Sequence, residues 1–328
     1  MSTIFCIVDG MTDPGFFPGA YPALSRMEAL PAVDTAQGEA PESLNCILHL
    51  LGVERVPPRL RGYAEALGSG IPVGKGDLIL RGSWFSRDSR GHCAAPIPAP
   101  PELPGELPCR YYPLGGYKSL LVFPGLGGAA EAIETFPPYA LEEKPAEALC
   151  PRGCEALQRT FFALLRGERC LIPWGQSAPA ALPPFPMAGT VISGTPVVRG
   201  IGRLLGMKVA EVPGATGDVD TDLNAKTAAA LAAAETCPFV VLHLNGADEA
   251  GHRKNRAEKE TFLQNIDSLV IRPLLSGPHG LVLTADHGTD PATGLHLGVP
   301  QPVFARRIPG ETLYFPPLFG KKPLPTEP

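Results

Sequence analysis

A chain of 328 residues with 44% hydrophobic and 19% charged residues holds enough apolar material for a sizeable core, in one large or two ordinary domains. A formal net charge of −5, a pI near 5.8 and no basic run denser than Lys321-Lys322 argue against nucleic acid as a partner. No stretch reaches about 18 consecutive apolar residues, which excludes a membrane-spanning helix. The 39 prolines and 37 glycines are together roughly double the usual ~12% share. Seventeen of the prolines fall between residues 93 and 190, so the middle third is not helix-dominated. The first residues, Met1-Ser2-Thr3-Ile4-Phe5-Cys6, lack the basic segment and cleavage site of a secretory leader. Eight sparse cysteines read as reduced thiols, and Cys150 and Cys154 have no second pair nearby to make a zinc knuckle. A cytoplasmic protein is expected.

In chain order, Ile4-Phe5-Cys6-Ile7-Val8 is a continuous apolar run that ends in Asp9-Gly10, the pattern of a buried parallel strand with a polar lip. Leu44, Ile47, Leu48 and Leu51 then recur at helical spacing behind Ser43, and Gly52 closes that helix. A glycine-flanked stretch, 62–70, leads to a strand at 77–81. The proline-rich middle follows, with a strand-like run at 117–123 and a helix at 155–165. Regular alternation resumes after Val191: a helix over 197–205, a strand over 207–212 and an alanine-rich helix over 225–235. A strand over 239–244, a helix over 258–275, a strand over 281–285 and an extended segment over 299–304 complete the pattern. Strands alternating with helices predict an α/β fold with a mostly parallel sheet flanked by helices. The proline-rich middle interrupts it as an inserted domain would, and no internal repeat is visible. The expected boundaries are a discontinuous core at 1–79 and 187–328, with a smaller insert at 80–186. The proline-rich end, 309–328, is expected to fray.

Three apolar strands each run into acid-bearing turns: Val8-Asp9-Gly10, then Leu244 through Asp248 to His252, then Thr284-Ala285-Asp286-His287. Parallel sheets gather ligands beyond the carboxyl ends of their strands, so these turns should converge. Asp248 and His252 share a helical face at four-residue spacing, and His296 follows nine residues after His287. Carboxylates mixed with imidazoles suit Mn²⁺ or Zn²⁺ better than Ca²⁺ or Mg²⁺. With the Ser43 hydroxyl these six groups make seven ligands, too many for one tetrahedral ion and suited to two, as in metal-assisted phosphoryl displacement. Ser43, at a helix N-terminus, is the candidate nucleophile.

Plainer readings compete at every position. A serine ahead of an amphipathic helix is commonly an N-cap, and Asp-Gly after a strand is commonly a turn. His49, His243 and His279 read as satisfied or surface imidazoles. Gly200-Ile201-Gly202-Arg203-Leu204-Leu205-Gly206 is not a dinucleotide fingerprint, because its third glycine comes one residue late.

Taken together the motifs resemble the archaeal-type cofactor-independent phosphoglycerate mutases of the alkaline phosphatase superfamily. The resembling segments are Ile7 to Met11, Ser43 to Gly52, Arg61-Gly62-Tyr63-Ala64-Glu65-Ala66-Leu67-Gly68 and Arg199 to Met207. They continue with Val212 to Gly217, Asp220-Thr221-Asp222, Asp248 to His252, and Thr284 to His287 with His296. The resemblance implies an alkaline-phosphatase-like core carrying a smaller α+β cap. It implies that Asp9, Ser43, Asp286 and His287 hold one metal and Asp248, His252 and His296 the other. Ser43 would become phosphoserine, Mn²⁺ or Zn²⁺ would serve as cofactor, and no organic cofactor would be needed. The implied partner is a small phosphorylated metabolite, in glycolysis for the family itself, with neither nucleic acid nor membrane involved.

The sequence departs from that family around the nucleophile, reading Glu42-Ser43-Leu44-Asn45-Cys46 where Gly-Ser-Asp-Thr-Ala is usual. In the middle domain, Arg81 matches a substrate-gripping arginine, with Arg87, Arg90 and His92 as further candidates there and Arg61, ahead of it, as another. Three outcomes stay open: a mutase returning the phosphoryl group to a neighbouring hydroxyl, a phosphomonoesterase or phosphonate-processing hydrolase, and a phospho-ligand-binding metalloprotein without turnover.

Overall fold

A computed structural model describes residues 2–103, 107–138, 145–307 and 316. The first segment of the chain forms β1 (Thr3–Val8), β2 (Glu28–Val33) and α1 (Ser43–Leu50). The middle forms α2 (Arg61–Gly68), β3 (Leu78–Arg87), β4 (Cys93–Pro96), β5 (Arg110–Gly115), β6 (Lys118–Phe123), α3 (Glu155–Leu164) and β7 (Arg169–Ser177). The return segment begins with β8 (Gly189–Ile192), α4 (Pro196–Leu204), β9 (Lys208–Val209), α5 (Leu223–Ala234), β10 (Phe239–Leu244) and α6 (Gly246–His252). It ends with α7 (Arg256–Ile266), α8 (Arg272–Ser276), β11 (Gly280–Thr284), β12 (Gly288–Asp290), β13 (Leu295–Leu297) and β14 (Gln301–Arg306).

These elements make two compact units, Met1–Val56 with Pro183–Pro328 and Pro57–Leu182. In the first, seven strands run in the order β2-β14-β11-β1-β10-β8-β9. The five from β11 to β9 are parallel, while β14 and β2 are antiparallel at one edge. β1 lies between β10 and β11, and all three are buried along their whole length. Burial on both faces is why they read as unbroken apolar runs rather than alternating ones. The core joins their side chains to those of α5, α7 and α8, among them Ile4, Cys6, Leu242, Leu283, Phe262 and Leu274. The fold is α/β with a mostly parallel sheet.

The second unit holds a five-stranded antiparallel sheet, β4-β3-β6-β5 with β7 on the other side of β3. Trp84, Phe123, Phe161, Leu171 and Trp174 pack its core. Its strand prolines, Pro96, Pro113 and Pro173, lie on β4, β5 and β7, each of which pairs with a single neighbour. Proline cannot donate to a ladder, so it is tolerated at such edges and absent from the inner strands β3 and β6.

Several elements differ from expectation. The single helix expected over 258–275 is three pieces, α7, a π-type turn at Asp267–Ile271, and α8. Pro273, at the start of α8, supplies no N–H to continue the ladder. The turn is useful: the buried Asp267 carboxylate accepts from the backbone N–H groups of Ala23 and Leu24. The strand expected over 207–212 shrinks to Lys208–Val209. The glycine-flanked stretch before β3 is a helix, α2. The compact units divide at Val56/Pro57 and Leu182/Pro183, whereas the sequence placed the divisions at 79/80 and 186/187. Thus α2 and the start of β3 belong with the antiparallel sheet, for α2 packs on β3 and β7. All eight cysteines are free thiols. No described helix is long and apolar enough to cross a membrane. The end at 309–328 lies, but for Pro316, outside the described residues.

Candidate functional site

All seven side chains singled out as ligands belong to the parallel-sheet unit, most of them just beyond the ends of its central strands. Asp9 follows β1, Asp248 sits on α6 just beyond β10, and Asp286-His287 follow β11. His296 is on β13, paired with Thr289 of β12. The first turn can approach α6 only because residue 10 is glycine. Gly10 has φ +66°, and a Cβ there would lie 2.6 Å from the Cα of Asp248.

Ser43 does not cap its helix. Glu42 holds the N-cap position with extended backbone, Ser43 is the first helical residue, and neither side chain bonds the exposed N–H groups there. The Ser43 hydroxyl donates instead to Asp9 Oδ2 at 3.4 Å and lies 3.2 Å from His287 Nε2. The plain N-cap reading therefore fails at the position where the chemistry needs a hydroxyl.

Three imidazoles are held alike. His252 Nδ1 lies 2.8 Å from the Gly294 carbonyl, His296 Nδ1 2.7 Å from that of Pro41, and His287 Nδ1 3.2 Å from that of Gly288. A carbonyl accepts only, so each Nδ1 carries a hydrogen and each Nε2 turns inward, offering a lone pair when the ring is neutral. His252 Nε2 and His296 Nε2 face each other at 3.0 Å, and both are 3.4 Å from Asp248 Oδ1. His287 Nε2 is 3.4 Å from Asp9 Oδ1 and from Asp286 Oδ2. Ligand atoms of Asp248, His252 and His296 lie within 4.8 Å of one another, as do those of Asp9, Asp248 and His287.

Lone pairs so close to each other and to carboxylates repel unless a positive charge sits among them. The buried Asp9 Oδ1 and Asp286 Oδ2 have no hydrogen-bond partner, a costly condition for charged oxygens. Burial, reinforced by Asp286 and Asp248, raises the Asp9 carboxyl well above its ordinary range. Burial and then Asp248 raise Asp286 to about 7. Burial opposes charge on both Asp248 and His252, yet their attraction prevails: Asp248 is held well below the usual range, and His252 rises to about 9. His287, pushed down by burial and then by His296, stays neutral. Carboxylate oxygens and imidazole nitrogens buried this close together are the donor set of a divalent-metal centre, and the residues fit such ions.

The supporting groups were invisible to sequence reasoning. Thr289 Oγ1 donates to Asp248 Oδ1 at 2.6 Å. Buried Lys259 donates to the carbonyls of Thr289 at 2.6 Å and Thr12 at 3.3 Å, and pairs with Asp13 Oδ2 at 2.9 Å. Thr35 donates to the Asp286 carbonyl, and His49 Nδ1 lies 2.9 Å from the Thr35 carbonyl. His243, expected to be merely satisfied, bonds Asp9 itself at 3.2 Å. Burial, with the Lys226 ammonium nearby, pushes it down to about 3. His279 is satisfied by Ser2 and Glu235, away from these groups. Truncating Lys259 to methionine keeps the apolar stem but takes a donor from the buried Thr289 and Thr12 carbonyls and leaves Asp13 to Arg256 and the Gly15 N–H, so a loss of about 2 kcal/mol is expected in urea unfolding of the metal-free protein.

In the antiparallel unit, Arg61 and Arg81 share one buried carboxylate oxygen, Glu65 Oε1, and both guanidinium groups lie over the Trp174 ring, at 5.3 and 5.8 Å. Burial works against the Glu65 charge, but Arg81 and then Arg61 hold it below the usual range. Arg87 is committed to Glu147 and to the carbonyls of Gly91 and Leu165. Arg90 pairs with Asp88 at the surface, and the backbone N–H of His92 donates to the same carboxylate. The structure thus brings Arg61 and Arg81 together and leaves Arg87, at the far end of β3, and Arg90 and His92, in the turn that follows, apart from them.

Comparison with known proteins agrees with the geometry. A profile described as the Metalloenzyme superfamily matches residues 179–306. The 2,3-bisphosphoglycerate-independent phosphoglycerate mutase of Methanoculleus marisnigri is 30% identical, over 92% of this chain and 87% of that protein. Among solved structures, the PH0037 protein from Pyrococcus horikoshii superposes with a TM-score of 0.67 at 20% identity, covering 93% of this chain and 87% of that one. The cofactor-independent phosphoglycerate mutase from Thermoplasma acidophilum gives 0.51 at 17% identity, covering 99% and 96%. With its two-unit fold and the ligand residues at its strand ends, this chain belongs to the 2,3-bisphosphoglycerate-independent phosphoglycerate mutase family of metalloenzymes.

Proposed function

We propose that the protein transfers a phosphoryl group through a phosphoserine at Ser43 and interconverts 3- and 2-phosphoglycerate or a related small phosphorylated acid. The observation that carries this reading is the placement of the Ser43 hydroxyl on Asp9 and His287 rather than on its own helix. Asp9, Ser43, Asp286 and His287 would hold one divalent ion and Asp248, His252 and His296 the other, with Mn²⁺ or Zn²⁺ suited to the donors. Bound ions would acidify the serine hydroxyl and offset charge on the transferring phosphoryl oxygens. Ser43 Oγ displaces the glycerate oxygen from phosphorus, and the freed oxygen takes up a proton. The phosphoryl group then passes to the neighbouring hydroxyl of the same glycerate. The paired guanidinium groups of Arg61 and Arg81 offer a grip for the substrate's anionic groups.

A second reading, hydrolysis by water, draws support from Arg87, Arg90 and His92. Like Arg61 and Arg81, two of these candidate grips are paired with neighbours of their own, but all three stand at the far end of β3 or in the turn after it, apart from the Arg61–Arg81 pair. Incubating the manganese-loaded protein with 3-phosphoglycerate separates the two. Formation of 2-phosphoglycerate supports the mutase, release of inorganic phosphate supports the hydrolase, and neither product rejects both for this substrate.

A further inference from the structure

Four buried or half-buried imidazoles surround the carboxylates, and one of them is wired in reverse. His252, His287 and His296 give their Nδ1 hydrogens to backbone carbonyls and turn their Nε2 atoms inward. His243, on β10, does the opposite. It stands opposite Ile7 in the β1–β10 register, two residues before Asp9, so its ring reaches Asp9 diagonally across the ladder. Its Nε2 lies 3.2 Å from Asp9 Oδ2, and its Nδ1 lies 3.2 Å from Ser193 Oγ, just beyond the end of β8. Ser193 Oγ already accepts from the backbone N–H of Thr195 at 3.0 Å, so its own hydrogen is available for His243 Nδ1. An ionised Asp9 can only accept, which requires the hydrogen of His243 to be on Nε2. The bonds therefore run one way, from the Thr195 N–H to Ser193, to His243, to Asp9 Oδ2.

That direction leaves Asp9 asymmetric. Oδ2 is occupied by His243 and Ser43, while Oδ1, buried and without a hydrogen-bond partner, faces His287 Nε2. We propose that His243 is a positioning residue, not a ligand: with its tautomer set by Ser193, it fixes the Asp9 carboxylate so that Oδ1 is the oxygen presented to a divalent cation. The proposal rests on the metal-binding part of the function proposed above.

The test is Mn²⁺ affinity, measured by titration of the chelator-stripped full-length protein, with near-ultraviolet circular dichroism and metal-free melting as controls for folding. His243→Leu removes the donor and should weaken Mn²⁺ binding by about 10–100-fold. His243→Gln can place an amide N–H where Nε2 was and should stay close to wild type. Ser193→Ala frees the tautomer without touching Asp9 and should weaken binding several-fold. It decides the matter if His243→Leu does not fold. Wild-type affinity in Ser193→Ala, or an equal loss in the glutamine and leucine variants, would overturn the proposal, as would a wild-type protein that binds no Mn²⁺. A protein that binds Mn²⁺ with the expected variant pattern yet converts no phosphoglycerate would instead reject the proposed activity alone.

Discussion

Replacing Ser43 with alanine is expected to lower turnover at least about 10³-fold and to abolish acid-stable phosphate on the protein. The neighbouring hydroxyls cannot stand in for it, since each is spoken for. Thr35 donates to the Asp286 carbonyl, Thr289 to the Asp248 carboxylate, and Thr12 to Gln301. Ser43 alone of these touches ligand-type side chains from two different strand ends, Asp9 and His287. The substitution should leave the fold intact, because Glu42 rather than Ser43 occupies the N-cap and no cap bond is lost. Turnover with 3-phosphoglycerate, mass analysis of acid-quenched protein and a melting curve check the three parts separately. Near-wild-type turnover in a folded Ser43→Ala protein would remove serine from the mechanism.

The convergence of Asp9, Asp248 and Asp286-His287 was legible from the sequence because each follows a strand that reads as one apolar run. Asp9, Asp248 and Asp286-His287 all stand where a parallel sheet presents polar groups, and only the order of strands was needed to bring them together. Their supports carry no such signal. Lys259 lies on a polar-looking helix and reads as a solvated charge, although it is 1% exposed. Thr289 reads as an ordinary strand residue. His243 sits inside an apolar strand, where a satisfied core imidazole is the common case, and satisfied it is, but by Asp9. Whether a polar side chain is buried against a particular carboxylate depends on tertiary register, which local periodicity does not encode. The middle unit was least legible for a related reason. Its strands are short or proline-bearing at the edges, and α2, which carries Glu65 and Arg61, shows a glycine at both ends rather than a helical signature.

Removing metal should make the protein's stability depend on pH in a direction that restoring metal cancels. Above pH ~6.5, the free protein must part with protons that its fold retains and the unfolded chain has already lost. His252 is the clearest case: its folded value of about 9 lies above the ordinary 6.5, so the stability it contributes is complete below 6.5 and lost as pH rises through 9. Asp286, raised to about 7, and Asp9, raised well above its ordinary range by burial and its carboxylate neighbours, act in the same sense, since a carboxyl kept protonated by the fold loses that advantage as pH rises. His243 and His287 are depressed and work the other way, but only below pH 6.5, where the unfolded imidazoles take up protons. From 6.5 to about 8 these groups are uncontested; above that Lys226, which burial lowers to about 8, gives up a proton that the unfolded chain still holds and works against them. His252 alone corresponds to a loss on the order of 2 kcal/mol between 6.5 and 8, or roughly 4–8 °C in melting temperature for a unit of this size. Melting curves in chelator at pH 6.5, 7.2 and 8 should step downward. With Mn²⁺ in excess the slope should flatten or reverse, because bound cations take the place of those protons and bind more tightly as the ligands ionise. A chelator-treated protein whose melting temperature is level or rises over this range would show that the buried carboxylates and His252 do not share protons as their geometry implies.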